Sequence, residues 1–413
     1  MERVVITGMG IISPLGNSVD EFWDKLTRGE SGVRVVESFE AAGHKARIAG
    51  VVRDFDAKAL FGAKEARRMD RFCQYALAAA DQAFADSGLD RADIDKERLG
   101  VYVGSGIGGI QTLTEEHATL LERGPDRVSP TLVPMMIANM AAAMISIRFG
   151  ALGPTLAPVT ACSIGNTAIG EAWHRIQSGR TDVILAGGSE AAISEIAAAS
   201  FAKATALSTR NDAPERASRP FDAGRDGFVL GEGAAILVLE SLTHARARGA
   251  RILAEVIGYG ASSDAYHMVA THPEGDGAYR AMREAIREAG IRPDEVDVIS
   301  AHATSTELGD RSETAAIKRL FGEYAYRIPV TANKSMTGHM LGAAGGAEAI
   351  ALIQSLRTGI IPPTINQETP DPECDLDVVP NEARRAELRI GMSNSFGFGG
   401  HNAVIVLKRW EDE

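Results

Sequence analysis

The chain is predicted to fold as a layered α/β protein built from two related halves. Three observations carry this. Strand-like and helical segments alternate along its whole length, no Pro/Ser-rich linker interrupts it, and a stretch near residue 160 recurs near residue 337. The first copy, Thr160–Ile184, reads TACSIGNTAIGEAWHRIQSGRTDVI, and the second, Thr337–Ile361, reads TGHMLGAAGGAEAIALIQSLRTGII. Ten of 25 positions are identical without a gap, at an offset of 177. Small-residue helices share Ala and Gly by chance, but not Ile-Gln-Ser and Arg-Thr in register. In this register Cys162 falls on His339. The halves are expected to be residues 1–250, with the cysteine, and 251–413, with His302 and His339.

The elements follow in order. Arg3–Met9 is an apolar, β-branched run and reads as a buried strand. Asn17–Leu26 reads as a helix, with Ser18 and Glu21 spaced as a capping box. Met69–Ser87 has helical periodicity and stops at Gly88. Arg98–Gly104 is a strand entering the turn SGIGG. Leu132–Phe149 reads as one Met-rich helix, its methionines most simply core packing. Val183–Gly187 and Ala234–Leu239 read as buried strands. The alternation then resumes with strands at Ile252–Tyr259, Val296–Ala301 and Ala403–Leu407. Helices are expected at Gly277–Ala289, Arg311–Phe321 and Gly342–Leu356. Such alternation implies mainly parallel sheets covered on both faces, so two halves give an α/β/α/β/α sandwich of five layers.

Bulk properties narrow the function classes. With 45% hydrophobic and 24% charged residues, 413 residues build an ample core. A net charge of −12 argues against general nucleic-acid binding. No apolar run is long enough to span a bilayer. The first residues, MERVVITGMGIISPLG, carry neither a basic region nor a cleavage site. Three cysteines are too few for a disulfide framework, so the cytoplasm is the expected compartment.

Cys162 stands between a strand-like approach and a small-residue helix start. A thiol there meets unsatisfied N–H groups and the positive end of the helix dipole, which favour thiolate. The same N–H groups suit a developing oxyanion. The residues alone leave a buried structural cysteine as the alternative. His302, in VISAHATSTELGD, directly follows an apolar strand, where α/β folds build their sites. His339 and Lys334 share ANKSMTGHMLGAAGGAEA, and a solvated lysine is the alternative for Lys334. His44, His117, His174 and His244 lie in surface-like stretches, while His267 and His272 sit near the expected pocket. The spacings match no metal-site signature, and SGIGG and FGFGG are not P-loops, because Lys-Ser/Thr does not follow. NSFGFGGHN predicts a tight turn that brings backbone close to a reaction centre.

VTACS, RPFDAGRDGFVLGEGA, SSDAYHM, AHATSTELGD, NKSMTGHMLGAAG and NSFGFGGHN occur here in one order. In that order they resemble the β-ketoacyl-acyl carrier protein synthases over Val4–Leu407, nearest the elongating synthase II type. The resemblance implies a thiolase-like fold, a homodimer, no cofactor, and elongation of acyl chains with malonyl units on an acyl carrier protein. It implies that Cys162 carries the acyl group and that His302 and His339 stabilise the enolate left by decarboxylation, with Lys334 polarising them. The N–H groups of Cys162 and Phe398 would form the oxyanion hole, and Phe398 would gate the site beside Phe396. Thr304 and Thr306 would contact the pantetheine arm, Asp310 and Glu313 would support the loop, and Ile107 would limit the acyl pocket. Lys64, Arg67 and Arg68 match docking positions for the acidic carrier, although a solvated mixed-charge face fits the same residues. Glu348, Ser393 and Asn394 would surround a monovalent cation.

Several residues depart from the family pattern. Ala303 replaces a usual Gly, His401 a common Thr, and Ser300 a frequent Asn. Ile164 replaces a small residue and is expected to narrow the pocket. A thiolase would need a second cysteine in the FGFGG turn, where Cys374 does not lie, and a synthase III type would carry Asn in place of His339. A non-catalytic chain-length partner typically lacks the cysteine. A polyketide ketosynthase subunit remains the alternative.

Overall fold

A computed structural model describes residues 1–38 and 43–411. The first apolar run folds as β1 (Val4–Ile12), with every residue buried. The helix Val19–Thr27 starts at its predicted cap. Ser18 Oγ accepts the Glu21 N–H at 3.2 Å, and Glu21 Oε2 accepts the Asn17 N–H at 3.1 Å. The remaining strands of the main sheet are β2 (Leu99–Gly104), β3 (Thr155–Leu156), β4 (Val183–Glu190), β5 (Gly233–Ser241), β6 (Ala254–Ser263), β7 (Val298–Ser300), β8 (Val330–Thr331), β9 (Ile390–Gly397) and β10 (His401–Arg409). Six helices cover them: α1 (Arg71–Asp86), α2 (Met140–Phe149), α3 (Ile164–Gln177), α4 (Asp276–Ala289), α5 (Glu307–Phe321) and α6 (Ala344–Thr358).

Among the described residues these strands form one ten-stranded sheet, ordered β8-β7-β9-β10-β6-β1-β5-β4-β2-β3. The order mirrors itself about the β1–β6 junction, which rests on three antiparallel pairs, Val4 with Val256 to Ile6 with Ala254. On either side come two antiparallel neighbours and then parallel ones: β1-β5-β4 followed by β2 and β3, and β6-β10-β9 followed by β7 and β8. The expected mainly parallel sheet is therefore mixed. The chain returns from β9 to β10 through Phe398–Gly400, and so tight a turn leaves only antiparallel pairing.

Side-chain alternation on the strands makes the five layers. On β5, Ala235, Leu237 and Leu239 face a core shared with α3 and α6, while Ala234, Ile236 and Val238 face α1 and α2. On β10, Ala403, Ile405 and Leu407 face that same central core, while Val404 and Val406 face α4 and α5. Helices α3 and α6 are thus the middle layer, between the two half-sheets, and they cross at glycine. A Cβ at Gly165 would stand 2.4 Å from the Gly346 nitrogen, and one at Gly345 would stand 2.9 Å from the Asn166 nitrogen.

The Met-rich segment is not one helix. It breaks between Leu132–Met136 and α2, with Ile137 extended, and the Met136 carbonyl accepts the Gly109 N–H at 2.9 Å. Met135, Met136, Met140 and Met144 are half-buried rather than core. No helix among the described residues is long and apolar enough to cross a membrane.

The crossing makes a stability prediction. Gly165→Ala should lower unfolding stability by about 1–3 kcal/mol, the usual effect of overpacking, because backbone cannot yield as a side chain can. A denaturant midpoint equal to that of the parent protein would remove the glycine crossing as a constraint.

Candidate active site

Two similar turns deliver the site. Ahead of α3 the chain tightens at Ala161, whose φ of 51° is left-handed, and passes through the 3-10 turn Ala161–Ser163. Ahead of α6 it does the same at Leu341, with φ 47°, through Leu341–Ala343. Matching the turns gives an offset of 180. Cys162 is therefore equivalent to Gly342. His339 lies before the second turn and not at a helix start, which corrects the sequence register. The His339 N–H donates to Val229 at 2.7 Å, and its carbonyl accepts the Gly231 N–H at 2.8 Å. The NSFGFGG turn packs directly behind the thiol. A Cβ at Gly397 would lie 2.6 Å from the Thr160 oxygen and 3.0 Å from the Cys162 nitrogen, so only glycine fits. Ser395 Oγ donates to the Cys162 carbonyl at 3.0 Å.

His302 follows β7 on a loop shaped by two buried carboxylates. Glu313 accepts the N–H groups of His302 and Ala303 at 2.9 and 2.7 Å. Asp310 accepts those of Ser305 and Phe221 at 3.1 and 2.9 Å. These bonds hold Ser305 at φ 73°, a costly conformation for a residue other than glycine. The His302 and His339 rings stand 5.5 Å apart at 86°. Phe228 meets the edge of His339 and Phe396 lies against His302.

Cys162, His302 and His339 line one cavity of about 370 Å³. Ile107, Thr304, Thr306, Phe396 and Phe398 line it too, and Phe398 is 38% exposed at its wall. The Thr304 and Thr306 hydroxyls are 3.2 Å apart. Lys334 stands behind this wall, 1% exposed, with Nζ donating to Glu348. Ile164 is fully buried and packs towards Gly104, Gly188 and Gly342 rather than the cavity, so it does not narrow the pocket. Ala303 lies at φ 20°, and His401 is exposed at the start of β10. Sequence reasoning missed Glu190, Phe201 and Phe228, which also line the cavity. Only the acidic end of the strand VILAGGSE hinted at Glu190.

Burial dominates the electrostatics. It holds both imidazoles well below the usual histidine range, and the charge of Lys334 adds to this, so both rings are neutral. Their Nδ1 atoms are buried without a hydrogen-bond partner. A proton there would be an orphaned donor, so the protons belong on Nε2, and both rings offer an N–H to the cavity. Burial also pushes the Cys162 thiol up to about 12, although Lys334 and the Phe398 N–H pull it down. A rise from 9.0 to about 12 corresponds to about 4 kcal/mol. A helix terminus offers about 0.3–1 kcal/mol. The expected lowered pKa is thus corrected: the resting group is a thiol.

Five buried oxygens nearby have no hydrogen-bond partner: Ser300 Oγ, Asn333 Oδ1, Glu348 Oε2, Ser393 Oγ and Asn394 Oδ1. Oxygen-only donors suit a hard cation rather than a transition metal. No cluster of three His, Cys, Asp or Glu side chains fit to hold a metal occurs among the described residues.

Lys64 lies on the short helix Ala63–Ala66, and Arg67 and Arg68 lie on the turn after it. All three are exposed and make no salt bridge among the described residues. Asp70 roots this turn by accepting the Thr112 N–H and hydroxyl at 3.0 and 2.6 Å. Thr112 belongs to the helix Ile110–Arg123, which directly follows the Ile107 loop.

The thiol assignment sets a pH profile. A group raised by burial ionises only in alkali, so iodoacetamide labelling of Cys162 should climb steadily from pH 7 to 10. A plateau reached near pH 7, read by intact mass, would mean a resting thiolate.

The comparisons point one way. Residues 1–245 match the domain family described as "Beta-ketoacyl synthase, N-terminal domain", and residues 253–368 match its C-terminal domain. The chain is 48% identical to a 3-oxoacyl-[acyl-carrier-protein] synthase 2 of Synechocystis and 51% identical to one of Staphylococcus aureus. Each comparison covers 99% of both chains. Among solved structures it resembles a β-ketoacyl synthase from Burkholderia phymatum, with TM-score 0.92, 38% identity and full coverage of both chains. It also resembles a type II polyketide ketosynthase solved with its acyl-carrier protein, with TM-score 0.91 and 36% identity, covering 99% of this chain and 100% of that one.

Proposed function

The chain belongs to the β-ketoacyl synthase family, and from that premise we propose that it is a 3-oxoacyl-ACP synthase. It elongates fatty acyl chains by two carbons through decarboxylative Claisen condensation. The observation that carries this is the meeting of one thiol and two neutral imidazoles in a single cavity. The identity of about half to the 3-oxoacyl-[acyl-carrier-protein] synthases 2 exceeds that to the polyketide ketosynthase, which favours the fatty-acid pathway.

In the first step Cys162 attacks the thioester carbon of acyl-ACP. The N–H groups of Cys162 and Phe398 receive the oxyanion, the carrier thiolate leaves, and the proton lost by Cys162 ends on the carrier thiol. In the second step malonyl-ACP enters past Thr304 and Thr306, and its carbon–carboxylate bond breaks to release CO₂. The charge passes to the thioester oxygen, where the Nε2–H groups of His302 and His339 bind it. The enolate carbon then attacks the acyl carbon, Cys162 leaves as thiolate, and it takes up one proton from solvent. Burial keeps the imidazoles neutral with Lys334 adding to it, and Asp310 and Glu313 fix the His302 loop. Phe398 gates the cavity beside Phe396, and Ile107 bounds the acyl end.

Residues 1–250 and 251–413 serve as the two functional halves, a division supported by the mirrored strand order. The partner is an acyl carrier protein, docked on Lys64, Arg67 and Arg68, where a local basic patch steers an acidic surface despite the overall charge. A second copy of the chain completes a homodimer. Its support is the exposed apolar set Val133, Ile147, Leu152, Leu156 and Val159 around the open edge of β3. Glu348, Ser393 and Asn394, with Ser300, would hold a monovalent cation that neutralises the buried oxygens. Three free cysteines suit the cytoplasm.

Incubation with labelled malonyl-ACP and an acyl-ACP panel should yield CO₂ and 3-oxoacyl-ACP, with product lost in Cys162→Ala. No condensation with any carrier-bound acyl group would refute the function. His339→Ala should cut CO₂ release by roughly 10²–10³-fold, the scale of a lost oxyanion donor. Reversing charge at Arg67 and Arg68 should raise KM for acyl-ACP with kcat little changed, and KM unchanged at both low and high salt would move the docking face elsewhere.

A further inference from the structure

One buried carboxylate touches both halves at the cavity and has no part in the chemistry above. Glu190 ends β4 and is completely buried. Its Oε1 accepts the Ser105 hydroxyl at 3.0 Å and the Ile107 N–H at 3.0 Å. Its Oε2 accepts the Gly106 N–H at 2.9 Å and the Gly342 N–H at 3.1 Å. Three partners are N–H groups that can only donate and the fourth is a hydroxyl, a set that favours the anion, while burial raises the carboxyl above its usual range. The fit is close. A Cβ at Gly106 would stand 2.8 Å from Oε2, and one at Gly342 would stand 3.0 Å from it.

The two segments held are functionally distinct. Residues 105–107 form the wall that carries Ile107. Gly342 follows the left-handed Leu341 at the start of α6, two residues beyond the Met340 that follows His339. A carboxylate that accepts the Gly342 N–H just ahead of α6 also favours that turn through the helix dipole. Displacement of the Ile107 wall by an acyl chain therefore pulls on the same carboxylate that seats the His339 turn.

We propose that Glu190 is a positioning residue that sets acyl-chain length and couples the Ile107 wall to the Leu341–Gly342 turn beside His339. This rests on the condensation assigned above. An acyl chain that seats Ile107 correctly leaves the imidazole turn in place for malonyl decarboxylation. One that is too long strains both through a single side chain.

Glu190→Gln is the direct test, because an amide keeps the size but turns two donor-facing positions into an NH₂ that accepts nothing. The ratio of kcat/KM for dodecanoyl-ACP over hexanoyl-ACP should change roughly threefold to tenfold, the scale of one or two lost hydrogen bonds. The dependence of malonyl decarboxylation on the length of the bound acyl chain should flatten. Hydrogen exchange should quicken together in segments 105–108 and 341–343, a readout independent of turnover. Ser105→Ala removes one donor and keeps the carboxylate, so it should shift the length ratio in the same direction by less, and it serves if the amide variant does not fold. A folded variant with the parent's length ratio overturns the proposal, as does exchange that quickens in one segment only. A parent protein that loads no acyl group would refute the condensation instead, while hydrogen exchange still decides whether the two segments are tied.

Discussion

The close crossing of α3 and α6 is the constraint on which the rest depends. Gly165 against Gly345 and Gly346 brings two backbones to a distance no side chain permits. Each of these helices leaves a left-handed turn, so the crossing sets the two turns side by side. That places the thiol within one cavity of both imidazoles. Asn166, one residue from the crossing, donates to the carbonyls of Ser393 and Ala403. The middle layer is thereby pinned to β9 and β10, and the Phe398 turn between those strands is held over the cysteine.

A site made by burying two helix starts is short of water, and its electrostatics follow from that. The Lys334 ammonium faces Glu348 in the interior, and its charge acts on three groups at once. It opposes protonation of both histidines while it favours ionisation of Cys162. Burial first, and this one cation with it, keep the two imidazoles neutral, and the same cation eases the departure of the cysteine thiolate after condensation. Burial resists that ionisation in the free enzyme, so the thiolate character of Cys162 belongs to the reaction and not to the resting state.

Local signals carried most of the fold and much of the site. Ser18 capped its helix and the strands fell close to their apolar runs, because each depends on a few neighbouring residues. Cys162, His302 and His339 stood out through the glycine and small residues that their turns require. What depended on distant contacts was not legible. The register slip between 177 and 180 amounts to three residues, close to one helical turn, so helix-periodic sequences match almost as well in either register. The break in the Met-rich helix comes from Gly109, more than twenty residues away in sequence, taking the Met136 carbonyl. The strand β9 was hidden inside a motif read only as a turn. Burial of the thiol could not be read from the helix start beside it.

Duplication explains why the two halves could take different chemical roles. After duplication each half presents a turn, a helix start and a strand end to the shared cavity, and neither needs a full set of reactive groups. The first turn carries the thiol at the position where the second has Gly342. A Cβ there would stand 3.0 Å from Glu190 Oε2, so a side chain at that point would crowd the carboxylate that holds the turn. Its imidazole instead comes from His339, three residues earlier, held by the backbone at Val229 and Gly231. The asymmetry of the chemistry thus goes with a crowded junction between the two turns. Where the two turns meet, the first half supplies both the thiol and the carboxylate, Cys162 and Glu190.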